Sequence, residues 1–378
     1  MWEKSNPRSR LGSGIDSETL EGFQRSMDSN LARIGAQLAS KCSYRFSCLR
    51  AHTIPKDDKK FRIICVPTVR DRLVQRSILD FLSTGDKCGI VNNVSYGFVR
   101  KRGVRAAANQ AREHRNRYPW AYKTDISSFF DRVERPLLHA RIQRFVRYPS
   151  LRELLVRGSE CEIEESNPTK LHQIHVAGIK PGRGIRQGMP FSPFFANLFL
   201  RDFDTAVEKR GLHMVRYADD LIFFADSESA CKEIHEFTKD ELGKIQLSIP
   251  EFGPTSKSRI FAPSESAEFL GVALKKNGTA YVLEVPDSKI RKAGGNIKSY
   301  TATEKVMKEK FTLAAVQSRI DAAIAGYVDA YAFANNVAQV ERWLLQAKRE
   351  CMHALITEML GIDISKLSLG ARTFLGLA

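Results

Sequence analysis

Two adjacent aspartates stand between two apolar runs in the segment HMVRYADDLIFFADS, which covers residues 213–227. This pattern predicts a β-hairpin with Asp219 and Asp220 at its tip. Most adjacent aspartate pairs are turn or capping residues. An exposed loop, however, does not usually need an apolar run such as Leu221 to Phe224 directly after its acids. The chain is therefore expected to fold around a sheet that presents two carboxylates at the ends of its strands.

A third aspartate ends another predicted strand. The segment PWAYKTDISSFF is typical of a strand that runs into an exposed turn at Asp125. Carboxylates from separate strands repel one another at close range unless cations bridge them. Mg²⁺ binds such oxygens and takes one or two carboxylates together with substrate phosphates. Two such ions, about 3.5–4 Å apart, stabilise both oxygens of an in-line phosphoryl displacement, which is the geometry of nucleotide polymerisation.

The segments around these acids alternate between strands and helices. RVERPLLHARIQRFV and GMPFSPFFANLFLRDFDTAVEKR are predicted to be helices, and SAEFLGVALKK is predicted to be one strand. Because no Gly-rich phosphate loop is present, neither a Walker nor a Rossmann fold is indicated, and an antiparallel α+β sheet backed by helices is expected. From about residue 300 the pattern is helical, with a boundary predicted near 280–300.

The charge of the chain favours a polyanionic partner. The net charge is +16, and residues 1–118 hold 23 Lys and Arg against 11 Asp and Glu, a net of +12. Nucleic acid is the first candidate and an anionic membrane the second, whereas the alternative is a solvated charged face. Within this part, Phe61 to Val66 is predicted to be a strand that ends at Pro67. Asp71 is predicted to cap the helix that follows.

Several protein classes are not indicated by the sequence. No stretch approaches the roughly 18 apolar residues of a membrane span, and the first residues, MWEKSNPRSRLGSG, lack the apolar core of a secretory signal. The seven cysteines form no CxxC pair, so neither a disulfide framework nor a zinc ribbon is expected. A cytoplasmic protein is the interpretation that follows.

Five segments, in this order, resemble the motifs of reverse transcriptases. They are Arg62 with Pro67 and Asp71-Arg72, Asp125 to Asp131, Gln187 to Pro193 with its continuation to Leu198, Tyr217 to Asp220, and Glu268 to Gly271. The Arg62 segment and Ser95-Tyr96-Gly97-Phe98 are similar to the bacterial branch of group II intron and retron enzymes. The layout is also similar to stand-alone bacterial reverse transcriptases associated with antiphage defence.

This resemblance implies roles for residues near the three acids. Asp125 and Asp219 would hold the metals with support from Asp220, and Ile126 belongs to the same metal-binding set. Phe130 would be the aromatic gate that excludes a ribose 2′-hydroxyl, and its alternative is a core aromatic. The resemblance thus assigns both metal binding and sugar selection to this region.

Further roles concern the nucleotide and the nucleic acid. Gln187 would contact the incoming sugar and Arg62 the triphosphate, with help from Lys56, Lys59 or Lys60. Lys257 is either a general acid near the leaving pyrophosphate or a solvated lysine. The remaining assignments are a primer grip and an RNA-binding set, for which a solvated loop is the alternative. These residues are Phe269, Leu270 and Gly271 for the grip, and Arg72, Arg100, Lys101, Arg102 and Arg105 for RNA.

The fold implied by the resemblance is an α+β right-hand polymerase with fingers, a palm that contains the antiparallel sheet, and an α-helical thumb. The predicted subdomains are an N-terminal extension (1–50), fingers (51–118), palm (119–285, with a fingers insertion around 150–190) and a helical thumb (286–378). The C-terminal third is expected to be too short for a thumb with an RNase H domain.

The implied function is RNA-directed DNA synthesis with two Mg²⁺ ions, for which Mn²⁺ could substitute. The partners would be dNTPs, an RNA template (a dedicated non-coding RNA), the DNA product, and a second copy of the chain or an effector protein. Antiphage defence is the expected role. Template-independent or protein-primed DNA synthesis remains open, as does a non-catalytic RNA-binding or splicing-helper role. Phe130 argues against RNA synthesis, because a bulky gate would reject the 2′-hydroxyl.

Overall fold

The computed structural model describes residues 12–40, 44–55, 61–301, 306 and 311–375. The helices are α1 Leu20–Arg25, α2 Met27–Ala39, α3 Val69–Ser83, α4 Val104–Arg117, α5 Phe129–Arg132, α6 Arg135–Phe145, α7 Pro149–Ser159, α8 Pro168–Val176, α9 Phe191–Lys209, α10 Glu228–Gly243, α11 Asp287–Lys298, α12 Leu313–Ala330, α13 Val337–Leu360 and α14 Leu369–Phe374, with a 3-10 turn at Ile364–Lys366. The strands are β1 Arg50–Pro55, β2 Phe61–Val66, β3 Trp120–Asp125, β4 His213–Tyr217, β5 Asp220–Ala225, β6 Arg259–Phe261, β7 Ala267–Phe269, β8 Val272–Asn277 and β9 Ala280–Glu284.

The described residues pack as two compact units. The first contains those up to Ala107 together with Tyr122–Ile260, and the second contains Ala108–Ala121 together with those from Phe261 onward. This division by packing lies nearer the N-terminus than the boundary expected near 280–300. The reason is that β7, β8 and β9 belong to the unit that also holds the C-terminal helices. The assignment of fingers, palm and thumb remains a prediction.

The first unit is organised by a four-stranded sheet in the order β4-β5-β3-β6. β4 and β5 form the predicted antiparallel hairpin, with His213 opposite Phe224 and Tyr217 opposite Asp220. β5 is buried at Leu221 to Ala225, as a strand covered on both faces should be. The α+β class with antiparallel pairing is therefore confirmed.

Helix α9 is the central helix of the first unit. Twelve of its 19 residues are buried, and an α-helix that is apolar on most of its circumference belongs in a protein core. Phe195 and Phe199 are almost fully buried and contribute to that core. The helix also buries Asn197 and Asp204, two polar residues that require partners.

β1 and β2 form a separate antiparallel pair in which Arg62 lies opposite Ile54. β2 has the predicted bounds, and α3 begins two residues after Pro67. The expected cap is wrong, because the side chain of Thr68, not Asp71, accepts the hydrogen bond at the helix start. The lysines expected to help Arg62, namely Lys56, Lys59 and Lys60, lie outside the described residues.

Asp71 is buried and serves a tertiary contact instead of capping α3. Its carboxylate accepts the Tyr44 hydroxyl at 2.7 Å and the Ser47 amide at 2.9 Å. These two bonds attach the segment before β1 to α3. A carboxylate one turn into a helix can do this because it projects sideways, whereas a capping side chain folds back on the helix start.

The second unit contains the three-stranded antiparallel sheet β7-β8-β9 and the helices α11, α12 and α13. The segment SAEFLGVALKK forms β7 and β8, so the prediction of a single strand is wrong. Leu270 and Gly271 have φ of +51° and +86° and turn the chain between Phe269 and Val272. Two successive positive φ values are typical of a tight β-hairpin turn.

Among the described residues, no helix is long and apolar enough to cross a membrane.

Candidate active site

The β4–β5 turn places Asp219 directly after a residue in a strained conformation. Only Ala218 and Asp219 separate the paired residues Tyr217 and Asp220. Ala218 has φ +59°, a left-handed conformation that favours glycine and that surrounding contacts must maintain in other residues. The turn is therefore expected to depend on its neighbours for its shape.

A buried ion pair supplies that support. The guanidinium of Arg216 and the carboxylate of Asp204 are joined by two hydrogen bonds, the Nε–Oδ1 bond being 2.7 Å long, and both side chains are at most 1% exposed. Arg216 Nη1 also donates to the Asn197 side-chain oxygen and to the Ala218 carbonyl, each at 3.1 Å. Asn197 Nδ2 donates to the Gly97 carbonyl at 2.9 Å. We call Arg216, Asp204 and Asn197 the turn network.

The loop at 94–98 lies against the same turn. The backbone of Arg216 donates to Val94 and accepts from Tyr96, both at 2.8 Å. At Gly97, a Cβ would come within 2.4 Å of the Ala218 nitrogen. Only a residue without a side chain permits this approach. The loop therefore contacts the β4–β5 turn through backbone atoms.

Asp125 comes to the same place from the end of β3. The amide of Ile126, the next residue, donates to the Asp219 carbonyl at 3.0 Å. The carboxylate of Asp125 forms an ion pair with Lys257. Beside this pair, the hydroxyls of Thr124 and Ser258 lie 2.7 Å apart, so the strand end and the Lys257 segment are held together by buried polar contact.

Asp219 and Asp220 have different environments. Burial raises the pKa of Asp219 above its usual range, and the charge of Asp125 raises it further, whereas Lys257 and Arg62 oppose the rise. Burial also raises the pKa of Asp220 to about 6, although the Lys123 ammonium lies 3.6 Å from its Oδ1. Asp219 therefore responds to the charges of the cleft, and Asp220 is paired with β3.

Two of the three acids, Asp125 and Asp219, border a cleft of about 1370 Å³. Asp125, Ile126 and Asp219 line it, and most of the predicted nucleotide contacts line it too. Those contacts are Arg62, Phe130, Gln187 and Lys257. Asp220 does not belong to the lining.

Phe130 is positioned by a tight turn after β3. Ser128 has φ +48° and precedes α5, and the Phe130 carbonyl accepts the Ile185 amide at 2.8 Å. A Cβ at Gly184 would lie 2.8 Å from that carbonyl. Phe129 is the ring that is buried, at 1% exposure, whereas Phe130 is partly exposed at the cleft. This placement favours a substrate contact over a core role for Phe130.

Gln187 and Arg62 are brought together by backbone pairing. The Cys65 amide of β2 donates to the Gln187 carbonyl at 2.6 Å. Gly188 has φ +105°, and a Cβ there would lie 2.6 Å from the Cys65 carbonyl. The segment that carries Gln187 is therefore attached to the strand that carries Arg62.

Glu162 binds the segment that precedes Gln187. Its carboxylate accepts from Arg135 Nη1 at 2.7 Å, from Arg186 Nη2 at 2.5 Å and from the Gly182 amide at 2.8 Å. Burial opposes the charged form, but the hydrogen bonds from Arg186 and Gly182 outweigh it and hold the pKa of Glu162 below its usual range. We call Glu162, Arg135 and Arg186 the Glu162 cluster.

The predicted RNA-binding residues fall into two groups. Arg72 lines the cleft and donates to the Gly12 carbonyl at 2.7 Å. Arg102 binds its own chain, since Nη1 donates to the Ser95 carbonyl at 2.6 Å and the guanidinium lies over the Tyr96 ring. The remaining three are exposed, and we call them the basic loop cations. They are Arg100, Lys101 and Arg105.

Comparison with known proteins identifies the family of the chain. The profile described as "Reverse transcriptase (RNA-dependent DNA polymerase)" matches residues 54–274, more than half of the chain. The chain belongs to the reverse transcriptase family.

Three known proteins are similar to parts of the chain. Protein YkfC of Escherichia coli K12 is 29% identical over 167 residues, which cover 42% of this chain and 40% of YkfC. The group II intron-encoded protein LtrA of Lactococcus lactis is 24% identical and covers 63% and 39%. The retron Ec83 reverse transcriptase of Escherichia coli is 23% identical and covers 51% and 58%.

These relatives confirm the bacterial group II intron and retron-like branch. The chain spans about two fifths of the length of YkfC and of LtrA.

The donor set at the cleft of this reverse transcriptase-family protein fits a divalent cation. Asp125 and Asp219 supply carboxylate oxygens to the cleft lining. The pKa of Asp219 is raised mainly by burial and further by the charge of Asp125, and a bound cation would favour the ionised form of both acids. The described residues contain no group of three His, Cys, Asp or Glu side chains placed to hold a metal. Two carboxylates agree with the one or two that Mg²⁺ usually takes.

The predicted primer grip occupies the β7–β8 turn of the second unit. Phe269 is buried at the end of β7, and Leu270 and Gly271 form the turn itself. A role in holding a primer remains a prediction.

Sequence reasoning missed the turn network and the Glu162 cluster. Apart from Glu162, which is 35% exposed, their charged members are at most 6% exposed as side chains: Asp204, Arg216, Arg135 and Arg186. The signal that could have revealed them is a charged residue inside an apolar segment, because such a residue is almost never fully buried unless it is paired.

Proposed function

We propose that the chain is an RNA-directed DNA polymerase whose reaction takes place at the Asp125–Asp219 cleft. The observation that carries this proposal is that one cleft is lined by two aspartates from neighbouring strands and by Arg62, Phe130 and Gln187. Membership in the reverse transcriptase family supports it.

In this proposal Asp125 and Asp219 hold the divalent cations, with the Ile126 carbonyl as a further oxygen donor. Bound Mg²⁺ supplies the positive charge that stabilises the attacking and leaving oxygens of phosphoryl displacement, and Mn²⁺ is a candidate substitute. Asp220 supports the site through its ion pair with Lys123.

The other cleft residues bind and select the nucleotide. Arg62 binds the triphosphate, where a guanidinium can donate to two oxygens at once. Phe130 excludes a ribose 2′-hydroxyl, and Gln187 contacts the sugar. Lys257 Nζ, beside Asp125, donates a proton to the leaving pyrophosphate.

The test is incorporation of labelled dTTP on poly(rA) primed with oligo(dT) in Mg²⁺. Asp219→Asn should reduce the rate by about 1,000-fold or more, because metal binding contributes several kcal/mol to the transition state. Asp219→Ala with Asp220→Ala should do the same. Asp226→Asn, an exposed aspartate after β5, is the matched control and should retain the rate.

The same assay separates the alternatives. Incorporation without poly(rA) would favour template-independent synthesis, and label that stays on the denatured chain would favour protein priming. RNA binding without incorporation by the wild type would favour a non-catalytic helper. A normal rate in Asp219→Asn would refute the assigned site.

We also propose that the template is a dedicated non-coding RNA and that the protein acts in antiphage defence. Similarity to the retron Ec83 reverse transcriptase supports the first proposal, and the resemblance to defence-associated enzymes motivates the second. Sequencing the nucleic acids that copurify with the wild type should yield one enriched RNA and a complementary DNA that is absent with Asp219→Asn. A random set of transcripts would contradict the first proposal. An equal efficiency of phage plating on cells that express the wild type and on cells that express Asp219→Asn would contradict the second proposal.

A further inference from the structure

Phe98 is an exposed aromatic residue at the catalytic turn. Its side chain is 50% exposed, and it lines the cleft together with Ala218 and Asp219. Within the described part of the chain, its ring contacts that of Tyr217, at a centroid distance of 6.3 Å and an interplanar angle of 45°. Such a loose, tilted contact leaves much of the Phe98 ring available to another planar group.

The loop that carries Phe98 is held on both sides. Before Phe98, the Gly97 backbone abuts Ala218 and its carbonyl accepts from Asn197. After it, Arg102 is bonded to the Ser95 carbonyl and its amide donates to the Val99 carbonyl at 3.1 Å. The position of the ring relative to the turn is therefore fixed by backbone contacts.

The backbone at Phe98 does not favour a phenylalanine. Its φ of +61° lies in the left-handed region, where glycine is at ease and a bulky side chain is an outlier. Burial does not account for the ring, since half of the residue is exposed, and the local conformation does not favour it either. Strained conformations at a cleft commonly accompany function.

We propose that Phe98 is a stacking platform for a nucleobase of the primer–template held in the cleft. The inference rests on the proposed polymerase function. Every base has a flat π-face, so an exposed ring can bind nucleic acid without reading its sequence. A ring attached to the turn that carries Asp219 would place that base in register with the reacting end.

The experiment measures stacking directly, with a DNA primer annealed to an RNA template. One duplex carries 2-aminopurine at the primer 3′ end, and a second carries it at the first unpaired template base. Binding to the wild type should quench the fluorescence of one of the two probes, which identifies the stacked base. Phe98→Tyr and Phe98→Trp should preserve the quenching.

Two substitutions separate stacking from folding. Phe98→Leu keeps apolar volume without a planar face and should weaken binding by roughly 5- to 150-fold, as expected for loss of one stacked base. Phe98→Gly should weaken binding similarly yet raise the urea midpoint of unfolding, because glycine relieves the positive φ. Phe81→Leu is the matched control: Phe81 is 43% exposed and packs on Tyr148 outside the cleft lining.

Normal quenching and affinity in Phe98→Leu would overturn the inference. A lower urea midpoint in Phe98→Gly with unchanged primer–template binding would also overturn the inference, because the ring would then serve only to cover Tyr217. The polymerase proposal fails separately, by absence of dTTP incorporation in the wild type. Stacking with no incorporation would therefore leave the inference standing as nucleic-acid binding alone.

Discussion

Removing the carboxylate of Asp204 should destabilise the protein severely. Asp204→Leu would leave the guanidinium of Arg216, which is 0% exposed as a side chain, without its charged partner. It would also remove the acceptor of the Asn92 amide, now 2.8 Å from Asp204 Oδ2. Breaking a buried ion pair in this way costs about 3–5 kcal/mol, a large part of a typical stability of about 5–15 kcal/mol.

A double variant separates folding from positioning. Replacing both partners, as Asp204→Leu with Arg216→Met, leaves no buried charge, and such replacements are often close to neutral for stability. We therefore expect it to recover at least half of the lost free energy of unfolding. Its incorporation rate should nevertheless stay about 100-fold below the wild type, because Ala218 loses its donor and a displacement of about 1 Å in a reacting group can cost that much.

Urea unfolding of the three proteins at neutral pH gives the stabilities, and single-turnover dTTP incorporation gives the rates. Primer–template affinity should be unchanged in the double variant. A loss below about 1 kcal/mol in Asp204→Leu would refute the role of the ion pair in stability. A wild-type rate in the double variant would refute its role in positioning Asp219.

The other predictions concern selectivity, charge and pH. Phe130→Val should let ribonucleotides compete with deoxynucleotides, measured as the ratio of kcat/KM for UTP and dTTP; an unchanged ratio would make Phe130 a packing residue only. Arg62→Ala should mainly raise the KM for dTTP, whereas replacing the basic loop cations with alanine should weaken RNA binding and flatten its salt dependence by about 0.7 per lost phosphate contact. An unchanged salt slope would mean that these cations do not touch the RNA backbone. The lowered pKa of Glu162 means that its carboxylate stabilises the fold fully above its ordinary pKa of about 4.3 and loses this effect as the pH falls below that value. The urea midpoint should therefore fall from about pH 5 to about pH 3 by less in Glu162→Gln than in the wild type. Equal falls would contradict this assignment.

The hairpin that carries Asp219 was predictable because its signals are local. Apolar runs on both sides of two acids define two strands and a tip, and the structure has both strands at β4 and β5. The helical end of the chain was predictable from its periodicity in the same way. The two local errors also have local causes. At α3, Thr68 and Asp71 stand three residues apart and both carry side chains that can cap a helix. Between β7 and β8, the turn residue Leu270 is apolar and therefore hides the reversal of the chain.

The supports of the site were not predictable in the same way, because their contacts join distant parts of the chain. Glu162 meets Arg135 and Arg186, which are 27 and 24 residues away, and nothing in the neighbouring sequence indicates which acid meets which base. The cleft lining combines β2, the end of β3, the segment before α9 and the β4–β5 turn. Family motifs can mark such residues, but only packing specifies the bonds between them.

The polar residues of α9 nevertheless hold information that a sequence can yield. Asn197 and Asp204 are seven residues apart, which is two helical turns, so they project from the same face of the helix, and that face is mostly apolar and buried. Two buried acceptors on one helix face, the Asn197 side-chain oxygen and the Asp204 carboxylate, require hydrogen-bond donors, and the carboxylate also requires a cation. Arg216 is the one cation within the apolar run of β4, His213 to Tyr217, and its guanidinium donates to both acceptors. The charge that looks misplaced in the strand is therefore the one that the helix requires. It is also the charge that fixes the turn on which Asp219 stands.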